Sequence, residues 1–263
     1  RQRQMCIRDR LVAYGRSLEE EHHKKFRFTI TTNGMLLDDD AIDFINKEMY
    51  NVVLSIDGRK EVNDRMRVRA DGTGSYDRIV RNFKKLVEKR GDKEWYVRGT
   101  YTKYNLDFSE DVFHLYEQGF DQISVEPVVE DPKVEYAITE EDLDRICEEY
   151  DKLADRLMEL KKNGGFLNFF HFMIDLEQGP CVIKRLRGCG SGNEYVSITP
   201  DGDIYPCHQF VGHEEYCMGN IEEGTFNEEI KKEFAGAHVY SKPSCQKCWA
   251  KFYCSGGCSA ANY

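Results

Sequence analysis

The sequence contains no apolar run long enough to cross a membrane. Its most apolar stretch, FLNFFHFMI at residues 166–174, includes Asn168 and His171. It is much shorter than the roughly 20 residues that a membrane-spanning helix needs. No segment has the pattern of a signal peptide. We therefore expect a cytoplasmic protein with no membrane partner, in a compartment where thiols stay reduced.

Basic residues and nucleotide-binding motifs are also scarce. The 263 residues include 37 Lys and Arg against 47 Asp and Glu, a net charge of −10. An acidic surface argues against nonspecific binding to nucleic acid or to anionic membranes. No glycine-rich phosphate loop follows a predicted strand, so the sequence does not support a dinucleotide site.

The two ends of the chain differ from the rest. The first ten residues, RQRQMCIRDR, show no periodicity and meet a helix-like segment abruptly. We interpret residues 1–10, including Cys6, as a non-native segment and exclude them from the fold prediction. The chain stops at Ala-Asn-Tyr soon after a cluster of cysteines. We therefore expect a fragment that is truncated at both ends.

Between residues 11 and 160, strand patterns alternate with helix patterns. Segments rich in β-branched and aromatic residues are followed by segments whose apolar residues recur at helical spacing. Repeated β-α units indicate a parallel sheet with right-handed crossovers. The predicted strands are 26–34, 51–58, 94–102 and 121–129, and the predicted helices are 38–49, 75–89, 109–119 and 139–160.

Polar residues end each predicted strand. In a closed or partly closed β/α barrel, this is the edge where sites are built. The alternatives are that Asn-Gly and Asp-Gly are only turn formers, or that the sheet is open and doubly wound. Four such ends in succession favour a shared site. The ends are Thr32-Asn33-Gly34, Ser55 to Gly58, Arg98 to Thr100, and Glu126-Pro127.

The last predicted helix has a clear start and a clear apolar stripe. Thr139 and Asp142 have the spacing of a capping box. Leu143 and Cys147 fall on the stripe, so we expect Cys147 to be a buried core thiol. Helical periodicity then fades, and we predict a boundary between a first domain, residues 11–180, and a cysteine-rich domain, residues 181–263.

The cysteine-rich part raises the question of what its thiols hold. EYVSITPDGDIYPC predicts a hairpin around Asp201-Gly202, which would bring Cys207 back towards Cys189. Further on, CQKCWAKFYCSGGC holds four cysteines, and we expect Trp249 and its aromatic neighbours to shield a bound centre from water. Zinc modules usually pair their ligands evenly in sets of four. Iron–sulfur clusters accept uneven spacing and distant ligands.

The spacing in full is Cys189-x12-Gly202-x4-Cys207, then Cys245-x2-Cys248-x5-Cys254-x3-Cys258. It resembles the SPASM domain of radical S-adenosylmethionine enzymes, which normally has one more cysteine downstream. TTNG, LSIDG and VRGTYT look like the third, fourth and fifth strands of such enzymes. The resemblance covers nearly all of residues 11–263. It implies an α/β fold, namely a partial TIM-like (β/α) barrel that lacks its first strands, followed by a small SPASM domain.

Finer similarity points to one branch of these enzymes. KRLRGCGSGNEYVSITPDGDIYPCHQFVG and CWAKFYCSGGCSAAN resemble the maturases that form thioethers in SCIFF peptides, which are short ribosomal peptides dense in cysteine. The family's Cys-x3-Cys-x2-Cys loop, which holds the cluster that cleaves S-adenosylmethionine, does not occur in these 263 residues. The resemblance therefore implies that this polypeptide alone lacks radical chemistry.

The resemblance also implies two auxiliary [4Fe-4S] clusters. In SCIFF-type enzymes the first keeps one iron open for a substrate thiolate. Cys181 either closes that site as a further ligand or is a structural thiol, and Cys217 is expected to be structural. Cys189, Cys207 and Cys258 would bind the first cluster, and Cys245, Cys248 and Cys254 the second.

Four residues of the barrel are implied to bind S-adenosylmethionine. Ser55 and Arg98 would contact the amino-acid end of the cofactor, since a guanidinium suits a carboxylate. For Arg98 the alternative is a salt bridge inside the barrel. Asn33 and Asp57 would contact the cofactor or the substrate.

The implied reaction joins a cysteine sulfur to an α-carbon. A 5′-deoxyadenosyl radical takes a hydrogen atom from the α-carbon, and the cluster-bound thiolate then forms the carbon–sulfur bond. The implied partners are a cysteine-rich ribosomal precursor peptide and an electron donor such as ferredoxin or flavodoxin. The alternatives are another SPASM chemistry, such as sulfatase maturation, and a zinc-stapled binding module without catalysis.

Overall fold

The computed structural model describes residues 2–174, 177, 179 and 186–262, with side chains from residue 7 onward. It divides into two compact units, Arg1–Met173 and Ile174–Tyr263. The boundary predicted from the sequence falls a few residues later, between 180 and 181. Cys181 lies outside the described residues. Among the described residues, every helix is too short or too polar to cross a membrane.

The first unit contains a five-stranded parallel sheet with the strand order β1-β2-β3-β4-β5. Each strand pairs in parallel with the next, and helices connect them, so the predicted α/β class is confirmed. The strands are β1 (Thr29–Thr32), β2 (Asn51–Ser55), β3 (Glu94–Tyr101), β4 (Gln122–Pro127) and β5 (Asn168–Phe169). The helices are α1 (Gln2–Glu21), α2 (Asp39–Glu48), α3 (Lys60–Met66), α4 (Tyr76–Glu88), α5 (Phe108–Glu117) and α6 (Leu143–Lys162).

Helix α1 includes most of the segment that the sequence analysis interpreted as non-native. The helix begins at Gln2 and continues without a break to Glu21, and the interpretation of residues 1–10 stays a prediction. Val12 is buried against the core of the first unit. Arg16 stacks over the ring of Phe28, with its guanidinium carbon 4.9 Å from the ring centroid. The second half of α1 therefore packs against the core of the first unit and against Phe28, just before β1.

The core of the first unit lies between the sheet and its helices. Val52, Leu54 and Val97 point from the strands into this layer, and the helices contribute residues at helical spacing. Helix α4 is an example, because Ile79, Phe83 and its other buried residues form one stripe. The opposite face of the sheet is more polar, since side chains of a strand alternate between its two faces.

Helix α6 corrects one detail of the sequence analysis. The predicted capping box at Thr139 and Asp142 is present. Cys147, however, is exposed, and Leu143 is exposed as well. The buried side of the helix is set by Ile146, with Glu149 and Leu153 following at spacings of three and four residues. Cys147 lies about 100° further round the helix from Ile146 and therefore faces away from the core.

The second unit is built from short elements. Its antiparallel sheet has the order β6-β7-β8, and its described residues also form three short α-helices. Ser197 pairs with Tyr205 and Ile198 with Ile204, so the hairpin predicted around Asp201-Gly202 is confirmed. The strands are β6 (Ser197–Ile198), β7 (Asp203–Tyr205) and β8 (Gly219–Asn220), and the helices are α7 (Glu228–Gly236), α8 (Pro243–Gln246) and α9 (Lys251–Cys254).

Candidate cofactor and cluster sites

A row of polar side chains crosses the face of the sheet that is turned away from the helices. Ser55 of β2 pairs with Arg98 of β3, and Arg98 pairs with Ser124 of β4. Paired residues of adjacent strands point to the same face, and so do residues two positions further along each strand. Thr100 and Glu126 form the next level of the row, towards the carboxyl end of the strands.

Arg98 and Glu126 form an ion pair in this row. The hydrogen bond from Glu126 raises the pKa of Arg98 above its usual value, because it stabilises the charged guanidinium, while burial opposes the shift. The Arg98 side chain is still 44% exposed. The salt-bridge alternative for Arg98 is therefore present, and its guanidinium also remains accessible to a ligand.

Ser124 and His171 extend the group on the other side of Glu126. The Ser124 hydroxyl lies 3.2 Å from a carboxylate oxygen of Glu126 and 3.2 Å from Nε2 of His171. Burial lowers the pKa of His171, with Glu126 opposing and Arg98 adding to the shift. His171 follows β5 in a single 3-10 turn. The sequence analysis assigned no role to Ser124 or His171. The strand alternation of QISVEP predicts that Ser124 and Glu126 share a face.

Asp57 is held by protein groups rather than presented to a ligand. Arg67 binds both of its carboxylate oxygens, with N···O distances of 2.7 and 2.8 Å. The backbone N–H of Thr100 donates to the same carboxylate at 3.0 Å. The residue is buried. This arrangement fixes the loop after β2 to β3 and leaves Asp57 with less free hydrogen-bonding capacity than Arg98.

Asn33 stands just beyond the last paired residue of β1. Thr32 pairs with Leu54, so the next residue along, Asn33, follows β1 as Ser55 follows Leu54 in β2. Its side-chain oxygen accepts a hydrogen bond from the N–H of Met35 at 3.2 Å, and the residue is exposed. It lines an open groove of about 620 Å³ together with Thr31. Asn33 is therefore accessible at the same edge of the sheet, without a contact to Arg98 or Glu126.

In the second unit, the hairpin brings the Cys189 segment beside Cys207. The N–H of Gly192 donates to the carbonyl of Pro206 at 3.0 Å. A Cβ added at Gly188 would lie 3.3 Å from the carbonyl oxygen of Gly257. The residues next to Cys189 therefore adjoin both the residue before Cys207 and the residue before Cys258.

The thiols of Cys189, Cys207 and Cys258 lie in one neighbourhood. Cys207 is buried in a small apolar cluster with Tyr205, Phe210 and Phe234. Burial raises the pKa of the Cys207 thiol, and the nearby Cys258 and Cys189 thiols raise it further by charge repulsion. Cys189 and Cys258 are 69 positions apart in the sequence. The fold brings both of them close to Cys207.

Of the other three proposed ligands, Cys245 lies in α8 and Cys254 in α9, and Cys248 lies between these two short helices. Cys245 and Cys248 are half-buried, and the N–H of Cys248 donates to the carbonyl of Cys245 at 3.1 Å. Cys254 is exposed at the end of α9. Cys217, expected to be structural, packs against the apolar cluster around Cys207.

The thiols do not surround a single ion. Among residues 2–174, 177, 179 and 186–262, no three Cys, His, Asp or Glu side chains converge on one ion-sized point. A structural zinc ion needs four such ligands around it. The ligands of a four-iron cluster bind different iron atoms, so their sulfur atoms stand further apart. The described thiols are therefore not arranged as a preformed site for a single metal ion.

Trp249, which the sequence analysis expects to shield a bound centre, lies at the surface of the second unit. The indole is 88% exposed, with only a tilted ring contact to Tyr253, 6.5 Å between centroids, described for it. Phe252 packs edge-on to Tyr240. Trp249 lies two residues before α9, and its shielding of a bound centre stays a prediction.

Comparison with known proteins agrees with this geometry. The family model for SPASM, described as an iron-sulfur cluster-binding domain, matches residues 189–249. The match includes Cys189, Cys207, Cys245 and Cys248 and ends before Cys254 and Cys258. The predicted resemblance to the radical S-adenosylmethionine/SPASM enzymes is confirmed by this match together with the relatives described next.

Two curated relatives extend over both units. The cysteine-type anaerobic sulfatase-maturating enzyme of Clostridium novyi (strain NT) is 27% identical over 247 residues, which are 88% of this chain and 63% of the relative. The serine-type enzyme of Bacteroides thetaiotaomicron is 27% identical over 257 residues, 87% of this chain and 60% of the relative. This chain thus spans less than two thirds of the length of either relative.

Solved structures show the same fold. The structure of native anSMEcpe with bound AdoMet has a TM-score of 0.71 and 22% identity, covering 90% of this chain and 66% of that one. The complex of native anSMEcpe with AdoMet and Cp18Cys peptide has a TM-score of 0.72 and 22% identity, covering 94% and 72%. The predicted partial barrel followed by a SPASM domain is therefore confirmed as the fold of the chain.

Proposed function

We propose that this chain is part of a radical S-adenosylmethionine peptide maturase and that its SPASM domain binds auxiliary [4Fe-4S] clusters. The observation that carries the proposal is that the segments of Cys189, Cys207 and Cys258 adjoin one another, with Cys207 buried. Thiolates are the usual protein ligands of iron–sulfur clusters. Cys245, Cys248 and Cys254 are proposed for a second cluster.

For the reaction, we propose formation of thioether cross-links in a cysteine-rich ribosomal peptide. The support is a first cluster site with three thiols in one neighbourhood, which leaves one iron position for a thiolate of the substrate. Cys181 as a fourth ligand is the alternative. Cross-linking a cysteine sulfur to an α-carbon removes one hydrogen atom from each group, and the electrons pass to S-adenosylmethionine and the clusters when these are bound.

Ser55 and Arg98 are proposed to hold the amino-acid end of S-adenosylmethionine. They are paired neighbours on an accessible face of the sheet, at the end where ligands of parallel α/β folds bind. A carboxylate of the cofactor would replace or join Glu126 on the guanidinium of Arg98. Asn33 is proposed as a further contact to the cofactor or the substrate. Asp57 is proposed as another, and its main effect would be to fix the ends of β2 and β3. An electron donor such as ferredoxin or flavodoxin remains part of the proposal.

Sulfatase maturation is the second candidate function. It is favoured by two curated relatives that carry this name and match most of the chain. The two functions differ in their substrate and product. A cysteine-rich peptide that gains a thioether loses two hydrogen atoms and one alkylatable thiol for each cross-link, whereas a sulfatase-type peptide would gain no cross-link.

The first experiment measures iron, sulfide and zinc in this polypeptide after anaerobic purification and reconstitution, together with its absorption spectrum. Iron and sulfide in the ratio of one or two clusters per chain, with broad absorption near about 400 nm, would support the cluster proposal. Zinc without sulfide would overturn it and favour the zinc-stapled binding module.

The second experiment assigns the reaction. A full-length protein that contains this sequence is incubated with S-adenosylmethionine, a reductant and either a cysteine-rich peptide or a sulfatase-type peptide, and both products are analysed by mass spectrometry. A cross-linked product from the first peptide alone supports thioether formation. Modification of the second peptide alone supports sulfatase maturation. The 263-residue polypeptide itself is expected to release no 5′-deoxyadenosine above a no-enzyme control, because it lacks the Cys-x3-Cys-x2-Cys motif.

A further inference from the structure

Ser255 is a buried serine in the middle of the cysteine-rich segment, between Cys254 and Cys258. It is only 5% exposed. Its hydroxyl oxygen is fully buried and has no hydrogen-bond partner among the residues that the structure describes. A buried hydroxyl without a partner is costly, so native structures normally supply one. The missing partner is expected at this position, next to two proposed cluster ligands.

The backbone at Ser255 adds a second argument. Its φ of 59° and ψ of 25° lie in the left-handed region, which glycine adopts more readily than serine. Gly256 and Gly257 follow with φ of 83° and 76°. A glycine at position 255 would relieve the backbone and remove the buried hydroxyl at once. The serine is therefore unfavourable on both counts unless its hydroxyl binds something.

The loop is held in place by other contacts, so the hydroxyl is not needed to shape it. The N–H of Ser255 donates to the carbonyl of Lys251 at 2.8 Å and ends α9. The carbonyl of Gly256 accepts from Lys242 Nζ at 2.7 Å and from Asn262 Nδ2 at 3.1 Å. The Ser255 hydroxyl is thus fixed in position within a turn that has its own hydrogen bonds.

We propose that the Ser255 hydroxyl donates a hydrogen bond to a sulfur atom of the iron–sulfur cluster bound beside this loop. The inference rests on the proposed function of the cysteines as cluster ligands. Sulfur atoms of a cluster accept hydrogen bonds, and such bonds tune its reduction potential. Because the reduced cluster carries more negative charge, the bond stabilises the reduced form and raises the potential.

The test compares Ser255→Ala and Ser255→Gly with the unmodified chain after anaerobic reconstitution. Iron and sulfide content is measured first, and then each cluster is titrated with a reductant and followed by electron paramagnetic resonance. Both variants are expected to bind the clusters and to lower the midpoint potential of one of them. A tenfold loss in the equilibrium constant for reduction corresponds to about 59 mV for a one-electron couple.

The glycine variant separates tuning from a structural role. It relieves the left-handed backbone, so a structural role would make it behave differently from the alanine variant, whereas loss of a hydrogen bond gives the same shift in both. Ser259→Ala, on the other side of Cys258, is the matched control and is expected to leave the potentials unchanged.

The outcomes also separate this inference from the proposed function. Clusters that load fully in both Ser255 variants, with unchanged potentials, would overturn the role of Ser255 and leave the cluster proposal intact. Absence of iron and sulfide from the unmodified chain would overturn both.

Discussion

Among the residues that the structure describes, the first unit, Arg1–Met173, encloses a cluster of 24 buried apolar side chains, whereas the cluster of the second unit, Ile174–Tyr263, has four. The regular elements differ in the same sense. Helix α6 has 20 residues and β3 has eight, while α9 has four and β8 has two. Burial of apolar surface is the main favourable term in folding. Among the described residues, the first unit buries much more apolar surface than the second.

A small unit with a thin core usually needs disulfides or a bound metal to be stable. The described cysteines of the second unit are free thiols. Cluster ligation by these thiols would supply the missing stability, so the proposed cofactor has a structural role as well as a chemical one. The comparison therefore predicts that the two units respond differently to loss of iron and to loss of core side chains.

Removal of iron is expected to have the largest effect, and it should be confined to the second unit. Ligation that forms only in the folded state contributes its binding free energy to folding, on the order of 10 kcal/mol for structural metal sites. Limited proteolysis of the cluster-free chain, with fragments identified by mass spectrometry, should show cleavage after residue 174 and protection before it. Equal protection of both units without iron would contradict the comparison.

Single cysteine variants sharpen this test. Cys189→Ala or Cys258→Ala should reduce iron content at one cluster only, because each removes a proposed ligand of the first site. Cys147→Ala, at an exposed position on α6, is the matched control and should leave iron content unchanged. Unchanged iron in both the Cys189 and Cys258 variants would disprove their assignment as ligands.

Truncation of the first unit's core should produce the next largest effect and leave the clusters in place. Phe83 is fully buried between α4 and the sheet. Phe83→Ala is expected to lower the free energy of unfolding of this unit by about 3–5 kcal/mol, through lost burial and a cavity. Denaturant titration followed by circular dichroism measures it. Phe166→Ala, at an exposed aromatic position, serves as the control. Loss of iron in the Phe83 variant would show that the units are coupled.

The same contrast explains what the sequence predicted well. Helices and strands of the first unit have long periodic patterns, and those patterns come from one-sided burial that a sequence displays directly. The ends of the predicted elements still differ from those in the structure. At β1, for example, the predicted strand covers residues 26–34 and the observed strand covers Thr29–Thr32. Cys147 shows the limit of such patterns. It is exposed although its neighbour Ile146 is buried, because the packing of α6 decides which of two adjacent residues faces the core.

In the second unit, the proposed ligand residues rest on the spacing of the cysteines rather than on a pattern of burial. The spacing predicted the hairpin that brings Cys207 to Cys189, but not the exposure of Trp249. In the first unit, the sequence analysis missed Ser124 and His171 because their roles arise from a contact between β4 and the turn after β5. The two residues are 47 positions apart in the sequence. Such contacts depend on strand register, which cannot be predicted from a local sequence pattern.

Replacement of Arg98 should have a small effect on folding and a larger effect on binding. The Arg98–Glu126 pair is partly exposed, and such pairs contribute about 0–1 kcal/mol to stability. Hydrogen bonds to charged groups contribute about 1.5–3 kcal/mol, so Arg98→Ala should weaken S-adenosylmethionine binding roughly 10- to 100-fold. Calorimetry on a full-length protein measures the affinity. Lys103→Ala, at a cation beyond the end of β3, is the control. An unchanged affinity would remove Arg98 from the proposed site.

The smallest expected effect is a pH dependence of the first unit that involves His171. Burial lowers the pKa of His171 in the folded state below its usual value of about 6.5, so the unfolded chain binds the proton first as the pH falls. The contribution to stability is therefore complete above about pH 6.5 and is lost as the pH falls towards the folded-state pKa. Denaturant titrations of the unmodified chain and of His171→Gln at several pH values between 5 and 7.5 should show a steeper decline for the unmodified chain. His22→Gln, at an exposed position in the same unit, should keep that decline. A decline of equal slope in the His171 variant would show that this histidine does not contribute to it, and that Glu126 offsets the combined effect of burial and Arg98.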